Sequence, residues 1–573
     1  MLDSNHVTEP AATPADPGLT PFPQHAIDQY RRLGLWGGRS LPSELFAAAR
    51  VHGDRVALVT PEVRWTYREL FERAADFGAG LLAVTTLRAG DAVLFQMGNV
   101  AETVVAYLGC LAAGVRPVCT LPQHGEREVS LLAAHVGARG LLIQADFGKG
   151  EPLTNAQSLL ERELIDVVIV ARGEPMAGAV SFQTILSGGS MLPAPDDVNP
   201  DEIVVFQLSG GTTGLPKVAP RLHEEYVYNS RAWAEALRWS PATKVLYPLP
   251  LLHNAGIALA LQPALLSGAS IVLAPSARID VLLDLIEAER PTTLPLVPPA
   301  LAIRLLEDPR SRTLDLSCIE DYIVGGQRLP VEIAERLRDE LGISVRQMFG
   351  MAEGMFLVTP ADSSEELRFH TVGQPISTAD EVRILEIDGT AEVPFGEIGE
   401  FCVRGPYTIR GYYRAAEHNA DTFTDDGFYR TGDLARAHHL DDTTVYSIEG
   451  RIKDVINRGV EKIHAEEVEE LILRHPDVTN AALVAMPDEV LGERACVYLI
   501  LEENAPHLAV STLGEFLLGQ GLAKYKLPER VEIVDQFPLS NVGKVSKKTL
   551  RETITNVLLA EREHHDSPAT GAR

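Results

Sequence analysis

The chain has 573 residues, too many for one ordinary domain and enough for two or three, and 45% of them are hydrophobic, as in a globular protein. Its 51 basic and 79 acidic residues leave a net charge of −28, which argues against nonspecific binding to nucleic acid or to an anionic membrane. Five scattered cysteines without a CxxC pair fit a reduced, cytoplasmic setting and argue against a zinc site.

In chain order, residues 1–22 are rich in Pro, Ala, Thr and Asp and are expected to form a disordered tail, with folded structure beginning near Pro23. The first residues, Met1 to His6, lack the basic and apolar regions of a signal peptide. Strands are predicted at Arg55–Val59, Arg64–Tyr67, Ala92–Gln96, Leu141–Ile143 and Val167–Val170. Helical spacing runs over Glu69–Leu82 and Glu102–Ala113. This alternation predicts a parallel, doubly wound sheet. The longest apolar stretch, 255–274, is broken by Gln262 and Pro263 and does not read as a membrane span.

The apolar run Ile203–Phe206 leads into Leu208-Ser209-Gly210-Gly211-Thr212-Thr213-Gly214-Leu215-Pro216-Lys217. A strand that ends in Gly, Ser and Thr and then Lys suits a polyphosphate. Glycines let the backbone approach, amides and hydroxyls donate to phosphate oxygens, and lysine adds a mobile charge. A Walker loop is excluded, because Pro216 stands where that motif needs Gly. The loop resembles the phosphate loop of the adenylate-forming superfamily: acyl-CoA synthetases, nonribosomal adenylation domains and luciferases. Pro220-Arg221-Leu222-His223 and Tyr30-Arg31-Arg32-Leu33-Gly34-Leu35-Trp36 are similar to its aryl-acid branch, the 2,3-dihydroxybenzoate- and salicylate-activating ligases.

Further motifs follow in the superfamily's order. The strand ending in His253-Asn254 resembles the segment that sets a histidine beside the carboxylate and the phosphate being transferred. Gly325-Gly326-Gln327 and Phe349-Gly350-Met351-Ala352-Glu353-Gly354 resemble the segments that hold adenine. There Glu353 is implied to hold Mg²⁺ on ATP. Gly427-Phe428-Tyr429-Arg430-Thr431-Gly432-Asp433 is similar to the ribose motif, and a carboxylate such as Asp433 can accept from two hydroxyls at once. Glu449-Gly450-Arg451-Ile452-Lys453-Asp454 resembles the hinge, with Arg451 toward ribose or phosphate and Lys453 as pivot. Arg458-Gly459-Val460-Glu461-Lys462 opens the small domain on the thiol-acceptor side, through Arg458, Gly459 and Lys462. Leu539-Ser540-Asn541-Val542-Gly543-Lys544 matches the loop carrying a mobile catalytic lysine, Lys544.

The resemblance implies an α/β fold: a large N-terminal domain with doubly wound sheets (23–448), a hinge (449–454), a small mobile α+β domain (455–560) and a tail (561–573). It implies two half-reactions. A carboxylate attacks the α-phosphate of ATP, giving acyl-AMP and pyrophosphate. A pantetheine thiol, of a carrier protein or CoA, then takes the acyl group and releases AMP. Lys544, His253 and Lys217 are the implied catalytic residues. The enzyme is expected to act in secondary-metabolite biosynthesis as a monomer or homodimer. An acyl-CoA synthetase for a large apolar cyclic acid, a luciferase-like oxygenase and a noncatalytic binding protein are the alternatives. The implied acid pocket is His253, Asn254, Ala255, Leu259, Gly325, Gln327 and Gly354. Four departures stand in it and beside it: Ala255 and Leu259 replace the branch's Tyr and Ser, Gln327 replaces an Ala, and Val460 replaces a Gly.

Overall fold

A computed structural model describes residues 16–148, 151–189, 199–209, 217–458, 461–488, 490–503, 505–539 and 545–566. Two large sheets and the helices between them form the N-terminal part. The seven-stranded sheet runs in the order Ala179–Ser181, Val167–Ala171, Ala138–Gln144, Ala92–Gln96, Arg116–Val118, Ile203–Ser209, Lys217–Leu222. All neighbours are parallel except the last two, which form an antiparallel edge with Ser209 opposite Lys217. The phosphate-loop residues Gly210, Gly211, Thr212, Thr213 and Gly214 connect these strands and lie outside the described residues. The last strand was not apparent from the sequence. It carries Pro220, which cannot donate to a ladder and is tolerated because this is the edge.

The nine-stranded sheet places Asp321–Gly325, Val345–Gly350, Thr293–Val297 and Lys244–Tyr247 side by side in its parallel centre, with antiparallel strands at both edges. Between the sheets lie helices Tyr67–Val84 and Ala101–Ala112. The first begins at a capping box, Thr66 accepting from the Glu69 amide and Glu69 from the Thr66 amide. In the second only Glu102 escapes burial, as expected of a helix covered on all sides. A four-stranded antiparallel sheet, Glu381–Leu385, Gly399–Arg404, Tyr429–Leu440 and Thr443–Arg451, follows. Residues after Val455 form a separate five-stranded sheet whose apolar clusters draw only on positions 456–558. Among the described residues no helix is long and apolar enough to cross a membrane.

Both expected tails need correction. Within the expected N-terminal tail 1–22, residues 16–22 are packed: Tyr413 Oη donates to Asp16 Oδ1 at 3.1 Å, the Arg414 amide donates to the Gly18 carbonyl at 2.9 Å, and Phe22 is buried. Composition hides this, because the contacts are long-range. At the other end helix Lys547–Asp566 runs past the expected boundary at 560.

The connection between the sheets is made by Arg221, which is fully buried. Its guanidinium forms two bonds to Glu225 (2.8 and 2.7 Å) and donates to the Ala352 carbonyl at 2.9 Å and the Tyr407 carbonyl at 3.1 Å. It lies 4.4 Å from the centre of the Tyr226 ring. Breaking such a pair leaves a buried charge uncompensated, at a cost of about 3–5 kcal/mol, whereas replacing both partners by apolar residues is far cheaper. Chemical denaturation of Arg221→Met should show a loss of about that size, and Arg221→Met with Glu225→Leu should regain most of it.

Candidate active site

The site gathers at the carboxyl ends of parallel strands, where open α/β sheets leave a crevice. After Lys244–Tyr247 come His253 and Asn254, after Asp321–Gly325 come Gly326 and Gln327, and Val345–Gly350 ends in Phe349 and the loop to Gly354. Gly325 is buried with Met348 opposite it on the next strand, while Gly326 and Gln327 are exposed. Phe349 meets Phe401 edge-on with ring centres 5.6 Å apart and packs in a cluster with Met351, Tyr412 and Tyr429. Gly350 is exposed and Met351 and Ala352 are half-buried.

Glu353 is the buried end of this loop, 3% exposed. Its carbonyl accepts from the Ile409 amide at 2.8 Å, and its Oε1 accepts from the Tyr412 hydroxyl. The Tyr412 and Tyr429 hydroxyls are 2.9 Å apart. Lys217 Nζ sits 5.0 Å from the centre of the Tyr412 ring. Burial lowers the Lys217 pKa, and the Glu353 charge opposes that shift. Burial also pushes the Tyr412 hydroxyl far above its usual range, with Glu353 adding to it, so Tyr412 stays a donor. On the facing strands Asp433 and Arg451 are register partners, with Nε and Oδ1 3.0 Å apart. Asp433 raises the Arg451 pKa.

His253 caps the turn Asn254–Gly256, its Nδ1 accepting from the Ala255 amide at 3.3 Å, so a neutral ring carries its proton on Nε2. Asn254 accepts from Tyr226 Oη at 3.3 Å and donates to the Met351 carbonyl at 3.4 Å. Ala255 and Leu259 are 6% and 2% exposed, inside the largest apolar cluster, which also holds Trp233, Tyr247 and Phe356. Leu259 lies on a π-helical turn, Ile257–Leu261, whose carbonyl at Leu259 accepts from Trp233 Nε1. Such one-turn bulges re-aim side chains and are frequent at functional sites.

In the segment expected to be the hinge, Lys453 is exposed on a single 3₁₀ turn, Ile452–Asp454, and desolvation, then Arg451, lowers its pKa. Asp454 accepts from Arg551 of the last helix at 2.7 Å, and Arg328 pairs with Glu470 at 2.8 Å, joining the two parts of the chain. The sequence placed Arg458 on the thiol-acceptor side; here its guanidinium pairs with Glu529 at 2.8 Å within the small sheet. Gly459 and the Lys462 side chain lie outside the described residues, as does Lys544, whose loop leaves from the bridge between Leu539 and Val545. The structure thus brings together Lys217, Glu353, Asp433 and Arg451. It adds Tyr412, Tyr429 and Arg221, roles not read from the sequence, although Tyr429 and Arg221 each sit inside a matching stretch. His223, in that same stretch, is structural: it accepts from the Leu41 amide at 3.1 Å, and burial brings its pKa down to about 3.

Residues 45–413 match the AMP-binding enzyme family, and residues 467–544 match the AMP-binding enzyme C-terminal domain. The chain is 38% identical over 549 residues to the 2,3-dihydroxybenzoate-AMP ligase of Bacillus subtilis, covering 95% of this chain and 99% of that protein. It is 42% identical over 537 residues to Triostin synthetase I of Streptomyces triostinicus, covering 93% and 98%. The apo structure of Mycobacterium smegmatis MbtA superposes with a TM-score of 0.72 at 34% identity, covering 93% of this chain and 98% of that one.

Gly354, next to Glu353, has φ +100°, and a Cβ there would lie 2.0 Å from the Tyr407 carbonyl oxygen. Gly354→Ala should therefore cost roughly 1–3 kcal/mol in chemical denaturation. Gly519→Ala, at a position with nothing within 4 Å, should stay within about 0.5 kcal/mol of the parent.

Proposed function

Because this chain belongs to the AMP-binding enzyme family and is an adenylate-forming acid ligase, we propose that it joins a bulky, largely apolar cyclic acid to AMP and passes the acyl group to a pantetheine thiol of a carrier protein. The observation that carries this reading is the convergence of Lys217, Glu353, Asp433 and Arg451 on one crevice. A carboxylate nucleophile needs no general base, so positioning and charge neutralisation dominate the first step. Its oxygen bonds to the α-phosphorus as the bond to pyrophosphate breaks. In the second step the thiol sulfur bonds to the acyl carbon, AMP leaves, and the thiol proton goes to solvent.

Lys217 and the hydroxyls of Ser209, Thr212 and Thr213 hold the polyphosphate. Asp433 accepts from the ribose hydroxyls, and Arg451 neutralises charge beside it. Gly326, Gln327 and Phe349 flank adenine, and His253 stands at the acid's carboxylate. Lys544 bridges the carboxylate and the α-phosphate. Mg²⁺ fits Glu353, a hard oxygen donor. Among the described residues no group of three or more His, Cys, Asp or Glu could hold a metal alone, so the ion would complete its sphere with phosphate oxygens and water. When bound, it neutralises charge on the leaving pyrophosphate.

Ala255 and Leu259 favour the apolar acid. They remove an aromatic wall and a hydroxyl partner where the aryl-acid branch carries Tyr and Ser. A polyhydroxylated ring would then bury unpaired hydroxyls at roughly 1–3 kcal/mol each. Each additional buried CH₂ is worth about 0.8 kcal/mol. Asn254, bonded to Tyr226 and to the Met351 carbonyl, keeps one Nδ2 hydrogen for one polar ring substituent.

Three measurements test this reading. Lys544→Ala should abolish acid-dependent pyrophosphate exchange while largely sparing thioester formation from supplied acyl-AMP; exchange at the parent rate would refute the role of Lys544. Lys453→Pro should do the reverse, since fixing φ blocks hinge rotation. In steady-state kinetics a bicyclic or bulky alicyclic acid should exceed 2,3-dihydroxybenzoate in kcat/KM. Should 2,3-dihydroxybenzoate or salicylate rank highest, with Leu259→Ser leaving the order unchanged, the pocket argument is wrong.

A further inference from the structure

Tyr412 occupies a place that the proposed chemistry has not used. It lies in a segment between sheets, Arg410-Gly411-Tyr412-Tyr413, and is 1% exposed. Its hydroxyl donates to Glu353 Oε1 and lies 2.9 Å from the Tyr429 hydroxyl. Since the Tyr412 proton is committed to the carboxylate, Tyr429 is the donor in the second bond. The ring carries Lys217 Nζ at 5.0 Å and packs against His418 with centres 5.4 Å apart. Its backbone is fixed as well: the Tyr412 amide donates to Asn419 Oδ1 at 2.8 Å, and its carbonyl accepts from Asn419 Nδ2 at 2.9 Å. One side chain therefore touches the carboxylate, the lysine and the tyrosine of the ribose motif.

We infer that Tyr412 is a positioning residue that fixes Glu353 and Lys217 relative to each other, so that the metal and the polyphosphate are received as one unit. This rests on the reading that Glu353 serves Mg²⁺. A carboxylate has about four lone-pair sites. With Oε1 held by Tyr412, rotation about the Glu353 side chain is stopped, and its other oxygen keeps a fixed direction. Without the hydroxyl, Glu353 keeps, among the described residues, only Tyr429 within hydrogen-bonding reach and can turn to pair directly with Lys217, whose pKa already registers its charge. That pairing would remove a cation from the phosphates and a ligand from the metal in one movement.

The test uses the full-length protein and isothermal titration calorimetry with ATP, once with excess Mg²⁺ and once with EDTA. The ratio of the two dissociation constants reports the metal's contribution and needs no turnover. Tyr412→Phe keeps the ring and removes only the hydroxyl. It should shrink the ratio about three- to tenfold, the worth of one hydrogen bond, mainly by weakening the Mg²⁺ arm, in a protein that stays folded at the assay temperature. Tyr429→Phe, which loses the bond behind it, should shift the ratio in the same direction by less. Tyr412→Leu should weaken the EDTA arm too, because Lys217 loses its ring. Glu353→Gln sets the scale by collapsing the ratio. A collapse in Glu353→Gln with parental ratios in Tyr412→Phe and Tyr429→Phe overturns the role of Tyr412 alone. A parental ratio in Glu353→Gln overturns the metal assignment, and the role of Tyr412 with it.

Discussion

A buried guanidinium holds the catalytic half of this molecule together. Arg221 sits on the edge strand that begins with Lys217, and besides its two bonds to Glu225 it donates to the carbonyls of two segments from other parts of the chain. Its planar fork makes this possible, since a lysine ammonium could not pair bidentately with Glu225 and reach two carbonyls in fixed directions. The loop ending in Glu353 and the segment leading to Tyr412 are thereby referenced to the strand that carries Lys217. The N-terminal segment braces the same region from outside: Trp36 Nε1 donates to the Pro406 carbonyl, and Asp16 holds Tyr413.

Charge is managed locally against an unfavourable total. A chain of net charge −28 repels ATP at long range, within the limits of screening. Near the crevice, the Glu353 carboxylate accepts from a hydroxyl and the Asp433 carboxylate is paired with Arg451. Burial of these groups also matters, because charges in a low-dielectric crevice act more strongly on a bound phosphate than surface charges do.

Much of this was legible in the sequence because it is local. Glu353 and Asp433 sit in short runs with Gly, where a turn at a strand end exposes a polar group, and His253-Asn254 closes an apolar strand in the same way. The alternation of apolar runs with helical spacing gave the sheet layers. What was not legible depends on distant partners. Lys217–Leu222 contains Pro and Arg and looks like a loop until its partner strand is known. Tyr412 carries no periodic signal, and its neighbours come from residues 217, 353, 418 and 429. Asp16 to Phe22 has a tail's composition, yet is held by residues almost 400 positions away. The π-helical turn at Ile257–Leu261 is likewise set by packing against Trp233.

The pairing of Ser209 with Lys217 at an open sheet edge limits how the chain can change its length. Strand side chains alternate between faces, so one residue added between Lys217 and Arg221 would turn either the lysine or the guanidinium to the opposite side. The same residue added between the two strands would leave both faces as they are, because the ladder begins after it. The pleat therefore forbids single-residue insertions and deletions within this strand but sets no such limit on the connection that precedes it. The spacing of four from Lys217 to Arg221, which keeps both side chains on one face, is fixed by the pleat.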